Sequence, residues 1–569
     1  MNILRKIYSV ISKDRKSVLA YLIIVNLPLL ILTFDTGNWS DDYQYTNLIM
    51  VKAKFSPILP LIFDTTGGHV QGGHFAPFYN LINLLITSIS LSPVFFHFII
   101  MAFYILTAFF VFLIVDRYYQ DKALAILAAT LFALNYYIGF KALNWNAFHS
   151  HATNTLTGAA SLYFLIRYIQ EKKNFSLMAC AVFLLLTIFN YESGFVFLPV
   201  LAITGFLSLL RKEICFRKLL LILIVLLMVA ALFPLGAYMK TGKPIPLSYR
   251  FKTASQRWNR NIQGYAFNAN DLFIKSTGFS IMYNNIIFNR LKHNVKLKED
   301  VRRLIREGGS LTSLSTSVKI LAILSIFIFL AVTVLIFVIV RILTRVRTKS
   351  ILFLAIYGCL FAVYILVFYR TDIANAIALF SSVIAADLII CFLRSGKKVY
   401  YRIGLAALGF YFITSVWTVF DKFDDCYRKS FFGLSKAAIK GPGKIYSKIN
   451  NKIGHFAEGG IIIFTHDYSS YHSTGGFERV GDVIGAGDLA CFNAAVYYKD
   501  LLRTDIPRQY KKRPLEEFCQ EFLINEKYRK VIVLSKEDAL EYLKENNVDT
   551  GEIAAIYMSK DYYIDKLDI

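Results

Sequence analysis

Of the 569 residues 56% are hydrophobic and only 18% charged, and the mean hydropathy is +0.48, which excludes an ordinary soluble enzyme. The formal net charge of +24 is unevenly placed: residues 421–569 hold 22 Lys and Arg against 23 Asp and Glu, so the excess belongs to the apolar part. That fits loops facing anionic membrane lipid, while the lack of a basic stripe with interleaved aromatics excludes a nucleic-acid partner.

The predicted elements begin with a basic segment containing Arg5, Lys6, Lys13, Arg15 and Lys16, followed by the apolar run Ser17–Phe34. Basic flanks stay cytoplasmic, so the loop after this run is expected outside. Further apolar runs lie near 94–115, 123–140, 150–168, 175–190, 194–210, 217–238, 318–340, 350–369, 372–393 and 400–420. Together they predict a mainly α, polytopic membrane protein of about eleven spans, each of roughly 20 residues.

The run Pro77–Ser92 decides the sidedness. If it lies along the outer interface, the short loops at 116–122, 167–173, 211–218, 341–349 and 394–402, with 17 Lys and Arg together, all face the cytoplasm. The first outer loop is then 35–93 and a long outer loop covers 239–317, the latter with 14 Lys and Arg against 4 Asp and Glu. Long loops constrain orientation less than short ones.

The membrane part is expected to end at residue 420, and 421–569 to form a small extracytoplasmic α/β domain. Its strand-like runs are Ile461–Phe464, Val531–Leu534 and Ile553–Tyr557, beside helical stretches. The seven cysteines show no CxxC pair, so neither a zinc site nor a redox motif is predicted.

The residues that could carry chemistry concentrate in the first outer loop. Asp41 and Asp42 follow Asn38-Trp39-Ser40 just outside the first span. A carboxylate within reach of an acceptor hydroxyl is a suitable base, and a second could orient that acceptor or hold a divalent cation such as Mg or Mn. Alternatively Ser40 or Asp41 caps an amphipathic interface helix running through about Lys54, with Asp42 favouring its N-terminal dipole.

His74 lies in GGHFAPFYN, where glycines let backbone approach a ligand and Pro77 opens the next helix; its imidazole could meet a phosphate, or simply donate to a carbonyl. Glu192 falls in Asn190-Tyr191-Glu192-Ser193-Gly194, between two apolar runs on the predicted outer side, where an ionisable group is a functional candidate or a solvated loop carboxylate. Lys141 in KALNWNAFHSH could neutralise a phosphate or snorkel, and Arg250 and Arg257 offer guanidinium forks in the long basic loop. His149 and His151 are two apart and do not share a helical face.

An acidic pair after the first span, a histidine-proline element leading into an apolar helix, and a later outer Tyr-Glu turn together resemble the GT-C superfamily of polyprenyl-phosphate-sugar-dependent glycosyltransferases. Protein O-mannosyltransferases and bacterial lipid A aminoarabinose transferases are the most similar in look. The resemblance covers roughly residues 15–240 and places the family's acidic pair on Asp41 and Asp42, its histidine-proline element on His74 and Pro77, and its later acidic residue on Glu192. It implies a GT-C helical module, a polyprenyl-phosphate sugar donor, a lipid, glycan or protein acceptor, an active site at the outer face and inversion at the anomeric carbon. Phe75-Ala76 stands where the mannosyltransferases have a proline pair, and Asp42 where they have Glu, which argues against a protein acceptor.

A bacterial inner membrane fits the plain N-terminus. The competing readings are a membrane polysaccharide polymerase or ligase, to which the basic 239–317 loop would belong, and a transporter, which should show matching broken helices in two halves.

Overall fold

The computed structural model describes residues 9–33, 62–63, 75–89, 93–135, 149–241, 335, 337–344, 351–366, 371–427, 461–465, 530–534 and 553–558. The chain divides into two compact units, one of residues 1–30, 100–141 and 150–420, the other of 31–99, 142–149 and 421–569.

The described apolar runs are helices, most of them in the first unit. α1 (Arg15–Val25) starts at Asp14, whose carboxylate accepts from the Ser17 N–H at 2.7 Å, a side-chain N-cap. The expected single span Ser17–Phe34 is instead broken: α1 stops at Val25, Asn26 turns, and α2 (Leu27–Thr33) begins. Pro28 is the physical reason, because it has no N–H for the carbonyl four residues back and is tolerated in the first turn of a new helix. Asn26 closes the break by donating its side-chain amide to Leu22 O at 2.8 Å.

α3 (Pro77–Ile89) has 13 residues and so rises about 20 Å, less than a hydrocarbon core. α4 (Pro93–Tyr119), α5 (Lys122–Ala133), α6 (His149–Glu171) and α7 (Asn174–Asn190) follow. A 3₁₀ turn, Glu192–Val196, runs into α8 (Phe197–Leu210), then come α9 (Phe216–Thr241), α10 (Ile351–Leu366), α11 (Thr371–Arg394) and α12 (Lys398–Tyr427). Among the described residues five helical stretches are long and apolar enough to cross a bilayer: Phe95–Tyr119, Ser193–Leu210, Phe216–Met239, Asn375–Arg394 and Lys398–Val416. The chain is a polytopic helical membrane protein.

α11 is its central helix, with Ile377, Leu379, Phe380 and Val383 buried and packed on α5 and α10. α9 lies at the edge, presenting Leu220, Ile224, Leu227 and Met228 outward, as a helix apolar all round does when it meets lipid.

α5 is shorter than the expected run to residue 140, ending among apolar neighbours where its last carbonyls have no water. Tyrosines supply the donors. The Tyr104 phenol of α4 donates to Phe132 O at 2.7 Å and reaches Asn135 O at 3.0 Å, and the Tyr411 phenol of α12 donates to Leu131 O at 2.8 Å. The other end is capped by Asp121, which accepts from the N–H groups of Ala123 and Leu124 at 3.1 and 3.2 Å and pairs with Arg394.

In the second unit three strands lie at the expected places: β1 (Ile461–Thr465), β2 (Lys530–Leu534) and β3 (Ile553–Met558). They form a parallel sheet in the order β2-β1-β3, with Ile463 opposite Ile532 and Ile556 and an irregularity at Ile461/Ile462. Parallel pairing requires crossover connections, the pattern of an α/β arrangement.

Candidate functional site

Among the described residues, the polar site lies where α6 begins and α7 ends. Ser150, Asn154 and Thr157 recur at positions i, i+4 and i+7 of α6, and Thr187 and Asn190 belong to the last turn of α7; all five are buried. The Asn154 and Asn190 amides stand 2.6 Å apart, Asn190 also donates to Ser150 O at 2.7 Å, and Thr187 donates to the Thr157 hydroxyl at 2.8 Å. In a water-poor interior such groups are tolerated only when they satisfy one another.

This network holds the turn that carries Glu192. Asn154 lies 3.1 Å from the Ser193 hydroxyl, a contact that either orientation of its amide preserves. Tyr191 is extended, with the His151 ring edge-on to its own at 6.2 Å. Gly194 is obligatory here: a Cβ on it would lie 2.3 Å from the Thr187 carbonyl oxygen. Behind it Gly158 lets α6 meet α8, since its Cβ would fall 2.3 Å from the Phe197 ring. Glu192 is thereby fixed in its backbone as the first residue of a helical run that continues into α8.

Of the expected site residues, Glu192 is the one whose backbone position the structure gives. Asp41, Asp42, His74, Lys141, Arg250 and Arg257 lie outside the described residues. His149 and His151 are both in the first turn of α6, and no group of three His, Cys, Asp or Glu suited to a metal occurs among the described residues. Asn154, Asn190 and Ser193 were not singled out from the sequence, although the Ser150/Asn154/Thr157 spacing on an otherwise apolar helix is a legible signal.

No protein-family model matches the chain, and no curated protein sequence does either. Among solved structures it is similar to the archaeal oligosaccharyltransferase AglB from Archaeoglobus fulgidus, determined in complex with an inhibitory peptide and a dolichol-phosphate. The two share 15% identity and a TM-score of 0.43, over 82% of this chain and 63% of that one. This chain thus matches less than two thirds of that enzyme's length, and a likeness of this degree fixes neither family nor activity.

Proposed function

We propose that this protein is an integral membrane glycosyltransferase that moves a sugar from a polyprenyl-phosphate carrier to a lipid, glycan or protein acceptor, at the outer face of a bacterial inner membrane. The observation that carries the reading is the pinned Tyr191–Gly194 turn: a chain of buried hydrogen bonds is spent on fixing one acidic residue at the end of a span. An ionisable group at a membrane boundary is a functional candidate.

A sugar on a polyprenyl phosphate already carries a good leaving group. The protein must then position the acceptor, take its proton and stabilise the departing phosphate. Asp41 is the base, and Asp42 orients the acceptor or ligates a divalent cation through its hard carboxylate oxygens. His74, with Lys141, Arg250 or Arg257, faces the phosphate. Glu192 orients an acceptor or sugar hydroxyl, and attack opposite the phosphate inverts the anomeric carbon. Residues 421–569, with their parallel sheet, serve in this reading as an extracytoplasmic recognition or structural domain.

The test is transfer of labelled sugar from a panel of polyprenyl-phosphate sugars to endogenous lipid and glycan acceptors. Membranes bearing the native chain, Asp41→Asn or Glu192→Gln are compared at equal protein level. Transfer should fall at least about a hundredfold with Asp41→Asn, the scale of a lost general base. Undiminished transfer with Asp41→Asn removes that residue from the mechanism.

A further inference from the structure

The opposite end of the bundle holds a cavity of about 370 Å³ where α4, α6 and α8 finish. By helix rise it lies about 20 Å from the Asn154 network, a separate place toward the other membrane surface. Its polar lining is Gln120, Gln170, Lys172, Ser208, Arg211 and Glu213, with Tyr118 and the apolar flanks of Ile166 and Ile169.

Three features point to an anion. First, the Glu171 carboxylate is already taken by Arg117, by Arg167 at 3.1 Å and by Lys173 at 3.6 Å, which leaves Glu213 as the carboxylate in the lining itself. Lys172 and Arg211 make no ion pair with a carboxylate among the described residues. Arg211 instead donates to the Tyr118 hydroxyl and lies 5.4 Å over its ring, and Lys172 donates to the carbonyls of Ile169 and Glu213. Lys172 thereby covers carbonyl ends of helix and turn that would otherwise repel an anion.

Second, the three non-glycine residues with positive φ among the described ones are Gln120 (60°), Lys172 (59°) and Lys212 (60°), all at this end. Each follows a helix, where glycine would sit without strain. Keeping a long polar side chain there costs about 1 kcal/mol apiece, and such strain clusters at ligand sites. Third, burial first and the nearby Lys218 second hold the Lys172 ammonium below its ordinary pKa against the opposing pull of Glu213 and Cys215, so a bound anion would find an ammonium short of compensation.

We propose that this cavity binds the phosphate of a headgroup or of free phosphate, held by the Arg211 guanidinium and the Lys172 ammonium. The apolar walls beside the basic rim match the boundary between acyl chain and headgroup.

The test uses the full chain purified in a neutral detergent, with bound phosphatidylglycerol measured by native mass spectrometry and inorganic phosphate as competitor. Arg211→Gln and Lys172→Gln should each weaken lipid binding about tenfold. Arg211→Lys should stay within about threefold, and Lys173→Gln, a base already paired with Glu171, within about twofold. Lipid that phosphate cannot displace at millimolar level assigns a headgroup; phosphate that displaces it at micromolar level assigns the free ion. Binding unchanged in both glutamine variants, weakened as much by Lys173→Gln, or absent altogether overturns the proposal.

Discussion

At the scale of single residues, the glycines separate close approach from mere helix length. Gly194 faces a backbone oxygen that cannot move without unwinding the last turn of α7, whereas Gly358 in α10 has nothing within 4 Å of an added Cβ. Gly194→Ala should therefore cost about 3 kcal/mol, as overpacking against fixed atoms does, and abolish any activity that depends on Glu192. Gly358→Ala should be neutral or stabilise by up to about 1 kcal/mol through helix propensity. Thermal unfolding of the two variants in detergent checks both. Neither effect is legible from the sequence: glycine in Tyr191-Glu192-Ser193-Gly194 reads as a turn residue, and the Thr187 carbonyl behind it is known only once α7 and α8 are packed.

At the scale of elements, α5 shows how a short helix survives inside an apolar bundle. Two phenols from two other helices serve the carbonyls at its end, so Tyr104→Phe leaves the Asn135 carbonyl and Tyr411→Phe the Leu131 carbonyl without its phenol donor, while Phe132 O keeps the Asn135 N–H at 3.0 Å. Each should cost about 1–3 kcal/mol, the cost of an unsatisfied buried group, and the two should be similar because each deprives one carbonyl of its phenol. The start of α5 adds a pH dependence. Burial raises the Asp121 pKa, but the Arg394 guanidinium and the Leu124 and Ala123 N–H groups outweigh it and hold the carboxyl below its ordinary 3.8. Its stabilisation is then complete above that value and is lost as the pH falls through the lower folded one. Asp121→Ala should cost about 1 kcal/mol at neutral pH, mostly as a lost cap since the Arg394 pair is half in water, and the gap should close below about pH 4.

Most of these helices were legible because an apolar run of span length is a strong signal. The runs near 94–115, 150–168, 217–238 and 372–393 lie within α4, α6, α9 and α11. The interruption at Asn26 and the early end of α5 were not, because hydropathy is blind to where a chain loses its hydrogen-bond partners. Pro28 was the one local clue to the first, and the tyrosine donors of the second come from residues 28 and 280 positions away. Of the candidate site, Glu192 was singled out from the sequence and the amides that hold its turn were not, although their helical spacing on an apolar helix could have pointed to them, while Asp41 and Asp42 lie outside the described residues.

At the scale of the whole molecule, the proposed chemistry depends on which side the basic turn faces, and Cys215 reports on it. This thiol is exposed in the turn between α8 and α9, and the Lys218 backbone N–H, aided by its charge and opposed by partial burial, holds it below the usual pKa. A larger thiolate fraction makes it the most reactive of the described cysteines, whereas Cys180 and Cys391 are buried. In a chain with Cys359, Cys426, Cys491 and Cys519 replaced by Ser, a membrane-impermeant maleimide should label Cys215 in inverted membrane vesicles and not in intact cells. One span, Ser193–Leu210, separates Cys215 from Glu192, so that result puts Glu192 at the outer face. Labelling in intact cells would put Glu192 in the cytoplasm and remove an outer-face acceptor site from the proposal, because an odd number of spans between two residues forces them to opposite surfaces.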